Sequence, residues 1–291
     1  MNTPNTQYSI PNTQYPKHKG NPLKIAIIGC GAIGTSLARA VSRDFRGTAQ
    51  VTALFDIDDA KSRCLAALLR KPALRAASLD RAISRAGLVI EAAHADSSLK
   101  IARAALSAGR DVMVMSVGGI VNGIAQLKQL ARRKGARIYV TSGAICGIDA
   151  LKAARMGRIQ SVTLTTRKNP LSFSGVACVR ERKIDLKKIK KDTVLFSGSA
   201  RRAMKLFPQN VNVAGVLSLA GLGPDTTTVT IIASPKARRN MHEVTIKAEA
   251  GTVTAVTENV LHPQNPKTSF LAVLSALAKL KQITEPLSVG T

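Results

Sequence analysis

Residues 24–34 read Lys24-Ile25-Ala26-Ile27-Ile28-Gly29-Cys30-Gly31-Ala32-Ile33-Gly34, a short apolar run that passes directly into G-x-G-x-x-G. The pattern asks for a buried parallel strand turning sharply into a helix, whose unpaired N–H groups and positive dipole end face an anion. Gly29 permits the turn, Gly31 lets backbone approach a pyrophosphate without a Cβ, and Gly34 lets the helix lie close on the strand. The context supports a dinucleotide site rather than a chance match, because a strand-like run precedes the motif and the helical residues 35–43 follow it. Gly29, Gly31, Ala32, Ile33 and Gly34 are therefore read as cofactor contacts. The second strand-like run, residues 51–55, ends in Asp56, at the place where a carboxylate accepts hydrogen bonds from the adenosine ribose. A 2′-phosphate would be repelled there, which favours NAD over NADP, although Lys61 and Arg63 are near enough in sequence to soften the preference.

Beyond Asp56 the chain alternates. Helical residues 60–69, the strand 88–92, the helix 97–107, the strand 111–115, a helix over 123–134 with Asn122 as N-cap, and the strand 137–140 describe right-handed crossovers and a parallel sheet. Numbering the run 88–92 as the fourth strand implies one further strand before it. The loops after the fourth, fifth and sixth strands (Ala93-His94-Ala95, Ser116-Val117-Gly118-Gly119 and Ser142-Gly143-Ala144) are then the places where a ligand binds.

From Ile145 the character changes. A helix over 148–156, a strand over 161–167, a strand over 193–197, helices over 200–206 and 211–219, and alternating runs at 226–233, 242–250 and 252–259 predict an antiparallel sheet with one exposed face. Pro266-Lys267-Thr268-Ser269 is expected to open a last helix reaching Gln282, capped by Thr268 or Ser269. The fold class is thus α/β, a Rossmann-type doubly wound parallel sheet followed by an α+β substrate domain with a largely antiparallel sheet. The expected division is a disordered tail over 1–22, a dinucleotide domain over 23–145, a substrate domain over 146–267 and a C-terminal helix and tail over 268–291.

Composition narrows the class. The 291 residues carry 43 Lys plus Arg against 17 Asp plus Glu, a net charge of +26. Such a surface attracts polyanions. Its densest run, residues 180–191, lacks interleaved aromatics, and the chain has no tryptophan, which argues against base-stacking platforms. A solvated basic surface fits best, with weak, nonspecific, salt-sensitive association with nucleic acid as the alternative. The four cysteines form no C-x-x-C pair and the four histidines do not cluster, so no metal site is expected and a reducing, cytoplasmic location is. Neither a secretory signal nor a membrane-length apolar run is expected.

The second half identifies the family. GCGAIG at 29–34, DVMVMSVGG at 111–119, SGAICGIDAL at 142–151, FPQNVNVAGVLSLAGLG at 207–223, Asn240-Met241-His242 and NPKTS at 265–269 resemble the L-aspartate dehydrogenase family over residues 23–279. The resemblance implies reversible oxidation of L-aspartate by NAD or NADP to iminoaspartate, then oxaloacetate and ammonia, feeding NAD biosynthesis, in a homodimer. It maps a nucleotide-contacting alanine to Ala144, an asparagine to Asn212 with Asn210 as the near neighbour, and the active-site histidine to His242. The chain departs from many relatives at Ala93-His94, where a smaller hydroxyl or thiol residue is usual.

The chemistry supports a histidine independently, since oxidising an amine needs a base with a pKa near neutrality. His18 lies in the tail, and His262 is placed at the surface in a turn with Pro263. His94 and His242 are left equal by the residues alone; the resemblance selects His242. Two substrate carboxylates need cations, for which Lys267, Lys168 with its neighbour Arg167, and a contribution from His94 are the candidates. The alternatives are an imine or semialdehyde reductase of similar build, for which Cys146 would be the nucleophile, and a nucleotide-sensing or nucleic-acid-associated protein on the same fold.

Overall fold

A computed structural model describes residues 21–207, 211–262 and 265–290. The expected tail over 1–22, His18 and Asn210 therefore lie outside the described residues, save for the last two positions of the tail. The first sheet holds β1 (Leu23–Ile28), β2 (Ala49–Phe55), β3 (Leu88–Glu91), β4 (Asp111–Val114) and β5 (Ile138–Val140). All pair in parallel, in the order β2-β1-β3-β4-β5. Helices α1 (Ala32–Asp44), α2 (Asp59–Leu68), α3 (Leu79–Ser84), α4 (Ala95–Ser107) and α5 (Ile124–Lys134) supply the crossovers. Both faces of this sheet are covered, one by Leu37, Val41 and Leu65, the other by Ile83, Ile101, Leu106 and Leu127. That double cover is why its strands read as continuous apolar runs rather than alternating ones.

The expected extra strand between residues 70 and 87 is absent. Residues 72–74 form a 3-10 turn and Arg75 makes a single bridge to Leu54, so the ligand-facing loops follow the third, fourth and fifth strands. Asn122 does not cap α5 either. Gly123 occupies the cap position, and the Asn122 side chain instead accepts from Arg201 Nη1 at 2.7 Å. An Asn is drawn from a cap when a charged donor offers a stronger bond.

The second sheet follows α6 (Ile148–Ala154) and contains β6 (Ile159–Lys168), β7 (Thr193–Ser199), β8 (Thr228–Ala233), β9 (Asn240–Ala248) and β10 (Gly251–Asn259), in the order β10-β9-β6-β8-β7. It is mixed rather than purely antiparallel, because β6 and β8 run parallel. Helices α7 (Ala177–Glu181), α8 (Ala200–Leu206) and α9 (Val211–Ala220) cover one face, where Phe173, Phe207 and Leu217 pack on Val162, Leu164, Val244 and Ile246. A two-stranded ribbon, β11 (Leu261–His262) with β12 (Asn265–Ser269), leads into α10 (Phe270–Thr284). The NPKTS segment is thus a strand, and the final helix opens after it. Through Val273, Ala276, Leu277 and Leu280, α10 returns to the core of the first sheet.

The glycine turn fixes how α1 meets β1. Gly29 has φ +98°, and a Cβ at Gly34 would lie 1.9 Å from the Gly29 carbonyl oxygen. A Cβ at Gly31 would meet nothing within 4 Å, and its φ of −72° suits any L residue. Gly34→Ala is therefore expected to destabilise the protein by more than about 3 kcal/mol, as overpacking against backbone does. Gly31→Ala should leave the melting temperature unchanged while weakening NADH binding; equal melting losses in both variants would contradict this division of roles.

Candidate active site

The dinucleotide cradle has the features that its sequence demands. Helix α1 begins with no side-chain cap bond and no acidic residue in its first turn, so its N–H groups and dipole are open to an anion. Open space at the Gly31 Cβ position leaves room for a pyrophosphate to reach the backbone. Asp56 stands at the end of β2, where its Oδ2 accepts from Cys30 N at 2.7 Å and its Oδ1 from Asp58 N at 2.9 Å. The carboxylate thus ties the second strand to the glycine turn and keeps lone pairs for ribose hydroxyls. These residues fit a nicotinamide dinucleotide.

The far end of the site rests on a carboxylate that the sequence reading passed over. Glu91 is fully buried at the end of β3, and accepts from Ala93 N at 2.9 Å and Ser116 N at 3.0 Å. Ser116 Oγ in turn donates to the Ala93 carbonyl at 2.7 Å. One side chain therefore fastens together the loops that follow β3 and β4. Burial pushes its pKa up, against the pull of the Ser116 and Ala93 N–H groups. An acid within the otherwise apolar run 88–92 was the signal that could have found it.

The family positions tie the two sheets together. Asn212, in the first turn of α9, accepts through Oδ1 from Gly118 N at 3.1 Å. The Ala144 carbonyl accepts from Asn259 Nδ2 at 3.0 Å. Asn259 is buried, pairs across the sheet with Asn240, and accepts from the Ser269 hydroxyl. Ser269 stands at the cap position of α10, but its hydroxyl is spent on Asn259 rather than on the helix. His262 is a correction to its surface assignment: it is buried, stacks edge-on against Phe270, and meets Ser36 Oγ through Nε2 at 3.1 Å. Because that hydroxyl also donates to the Ala32 carbonyl, the imidazole N–H donates to it. The ribbon 261–269 is thereby fastened to the helix behind the phosphate turn.

The structure separates the two histidines that the sequence left level. His94 occupies the N-cap position of α4 with its side chain 83% exposed, beside Asp96 at 3.2 Å. His242 is buried on β9, directly across from Thr166 of β6, and its Nδ1 lies 2.9 Å from Thr166 Oγ1. With Nδ1 so engaged, Nε2 is the nitrogen left to act. Lys168 lies two residues beyond Thr166, on the same buried face of β6. Arg167, facing the other way, is paired with Glu243 at 3.1 Å. Lys168 has no ion-pair partner among the described residues, and burial lowers its pKa to about 8. Desolvation, then the nearby Lys168 charge, lowers His242 to about 3, which keeps the imidazole neutral. The Lys267 side chain lies outside the described residues. Cys146 touches Thr257 Oγ1 at 3.0 Å and the Val256 carbonyl at 3.6 Å, and among the described residues no imidazole is hydrogen-bonded to it.

Comparison with known proteins bears on the whole chain. Residues 149–283 match the aspartate dehydrogenase C-terminal family, and residues 29–141 match the homoserine dehydrogenase NAD-binding domain. An L-aspartate dehydrogenase of Methanosarcina barkeri is 42% identical over 271 residues, covering 92% of this chain and 100% of the relative. The chain belongs to the L-aspartate dehydrogenase family. A second relative of that name, from Methanococcoides burtonii, is 43% identical over the same share of the chain and 100% of its own length. A crystal structure of aspartate dehydrogenase from Thermotoga maritima superimposes with a TM-score of 0.71 at 24% identity, over 92% of this chain and 99% of that one. It shares the two-sheet fold.

The depressed His242 pKa fixes a sign for stability against pH. Unfolded, the imidazole takes up a proton near pH 6.5; folded, it does so only near pH 3. Stability should therefore fall as pH drops below 6.5, by up to about 1.4 kcal/mol per unit from this group. Urea titrations of His242→Gln should show a flatter acid limb than the parent protein. Parallel limbs would mean that the imidazole is not buried neutral.

Proposed function

We propose that the protein oxidises L-aspartate to iminoaspartate with a nicotinamide dinucleotide, with His242 as general base and Lys168 as the cation that receives a substrate carboxylate. The observation that carries this reading is the buried pair itself: a neutral imidazole oriented by Thr166, beside a buried ammonium that has no carboxylate partner among the described residues. An unpaired buried charge is costly, and a dicarboxylate substrate supplies the missing partner. The dinucleotide would be held by the turn from Gly29 to Gly34, with Asp56 at its ribose and Ala144 and Asn212 toward its nicotinamide end; when bound, it accepts the hydride from Cα.

His242 takes the ammonium proton of aspartate at Nε2, and Thr166 holds the ring while the imidazole is charged. Desolvation is the main reason that the imidazole is neutral and the Lys168 charge the lesser one; the arriving carboxylate offsets that second part, so proton affinity at Nε2 rises as substrate binds. Once that proton has passed to solvent, the same nitrogen takes a proton from water as it adds to the imine carbon, and C–N cleavage then gives oxaloacetate and ammonia. The exposed His94 and the segment carrying Lys267 are secondary candidates for substrate contact.

The reading extends to a homodimer in a reducing cytoplasm, supplying iminoaspartate to NAD biosynthesis. Unpaired cysteines support that compartment, and no helix among the described residues is long and apolar enough to cross a membrane. The basic run 180–191 borders the second sheet with most of its side chains exposed, which supports nonspecific attraction of nucleic acid rather than a part in turnover.

His242→Ala is expected to lower kcat for aspartate by about 10²-fold or more, with NADH affinity nearly unchanged. Lys168→Met should raise KM for aspartate strongly, move the acid limb of kcat/KM upward by removing the charge beside His242, and raise the melting temperature at pH 7. The last effect follows because charging Lys168 in the fold costs on the order of 3 kcal/mol below its lowered pKa. A near-normal kcat in His242→Ala, with loss in His94→Ala, would transfer the base to His94. Replacing Lys187, Lys188, Lys190 and Lys191 with glutamine should leave aspartate turnover intact at physiological salt, where exposed charges are screened beyond about 8 Å, and should lower RNA retention at low salt. A rise in KM that persists at high salt would place the run at the cleft.

A further inference from the structure

At the end of β2 a pocket of about 480 Å³ is lined by Phe55, Asp56, Ile57, Asp59, Arg75, Ala76 and Ala77. Because Asp56 links this pocket to the glycine turn through Cys30 N, it is where the adenosine half of a dinucleotide must lie. Its charged lining consists of two carboxylates and one guanidinium. The guanidinium is engaged: Arg75 Nη2 meets Asp59 Oδ1 at 2.6 Å and Oδ2 at 2.8 Å. The two other cations that the sequence places near Asp56 are held as well, Arg63 by Asp59 at 2.7 Å and Lys61 by Asp58 at 3.6 Å.

The missing strand explains how Arg75 arrives there. Residues 75–76 run beside the end of β2, with Ala76 N donating to the Leu54 carbonyl at 2.9 Å, so the side chain reaches the pocket from the sheet edge. An Arg at the adenosine ribose is the residue type that recognises a 2′-phosphate. In this chain it faces the site with a carboxylate already bound to it.

We propose that Asp59 is a specificity-determining residue that holds Arg75 away from a 2′-phosphate, so that the pocket takes NAD while retaining a latent NADP clamp. The proposal rests on the dinucleotide reading of the first sheet and goes beyond it. With Asp59 in place, a dianionic phosphate meets Asp56 and Asp59 against a single committed guanidinium. Without the Asp59 charge, the Arg75 guanidinium becomes a donor for the phosphate. Asp58, whose Oδ1 caps α2 by accepting from Ala60 N at 3.1 Å, is untouched by the change, so the helix keeps its cap.

The test is direct titration of NADH and NADPH by their own fluorescence, without substrate, on the full-length protein and the variants Asp59→Asn, Arg75→Gln and the double variant. The expected result is a parent that binds NADH more tightly than NADPH, and an Asp59→Asn protein whose NADPH affinity rises about tenfold relative to NADH, a change of about 1.4 kcal/mol. The double variant should lose that gain, and the gain should shrink as salt increases. An unchanged ratio in Asp59→Asn overturns the proposal, as does a large loss of NADPH binding in Arg75→Gln alone, which would mean that Arg75 already serves the phosphate. Failure of the parent to bind either nucleotide would overturn the dinucleotide reading itself, a separate outcome. Melting curves of each variant establish that all are folded when titrated.

Discussion

The approach of α1 to β1 is the constraint on which the remaining structure depends. An oxygen 1.9 Å from where a Cβ would stand at Gly34 leaves no freedom in how this helix leaves its strand. From that contact follow the direction of the open N–H groups, the position of Asp56 against Cys30 N, and the place of Ser36, to which His262 is bonded. The ribbon from the second sheet is anchored to the back of the phosphate turn. Strand, cofactor cradle and catalytic sheet therefore share one mechanical reference.

The site is assembled from charges that the fold removes from water. Glu91 spends its carboxylate on two backbone N–H groups and thereby joins two loops. His242 is buried neutral against Thr166, and Lys168 is buried with no carboxylate beside it among the described residues. The first arrangement is structural, since its hydrogen bonds are complete within the chain. The last lacks a partner among the described residues, and this asymmetry is what the proposed carboxylate site rests on. Burial without such a partner costs Lys168 stability.

The surface charge acts on a different scale. Exposed lysines and arginines raise the potential over the whole molecule, but screening removes most of their influence on a cleft at physiological salt. Several cations carry a neighbouring carboxylate, as with Arg75, Arg201 and Arg167, whereas Lys168 has none among the described residues. In a chain of net charge +26, the few acids therefore decide which cations remain available.

Much of this was legible in the residues. The turn from Gly29 to Gly34, Asp56, the parallel alternation and the ordered motifs of the second half are local patterns, and local patterns survive as sequence because backbone geometry and helix periodicity are short-range. The family motifs singled out Ala144, Asn212 and His242, and the fold gives each a position joining or facing the two sheets. What the sequence missed depends on partners distant along the chain. A supposed strand before residue 87 is replaced by one bridge to Leu54; Asn122 leaves its cap for Arg201; His262 is drawn inside by Ser36 and Phe270. The burial of His242 against the exposure of His94, and the lack of a carboxylate at Lys168 among the described residues, likewise required tertiary structure, because burial and the presence or absence of a counter-charge belong to the folded surroundings and not to a residue's neighbours in sequence.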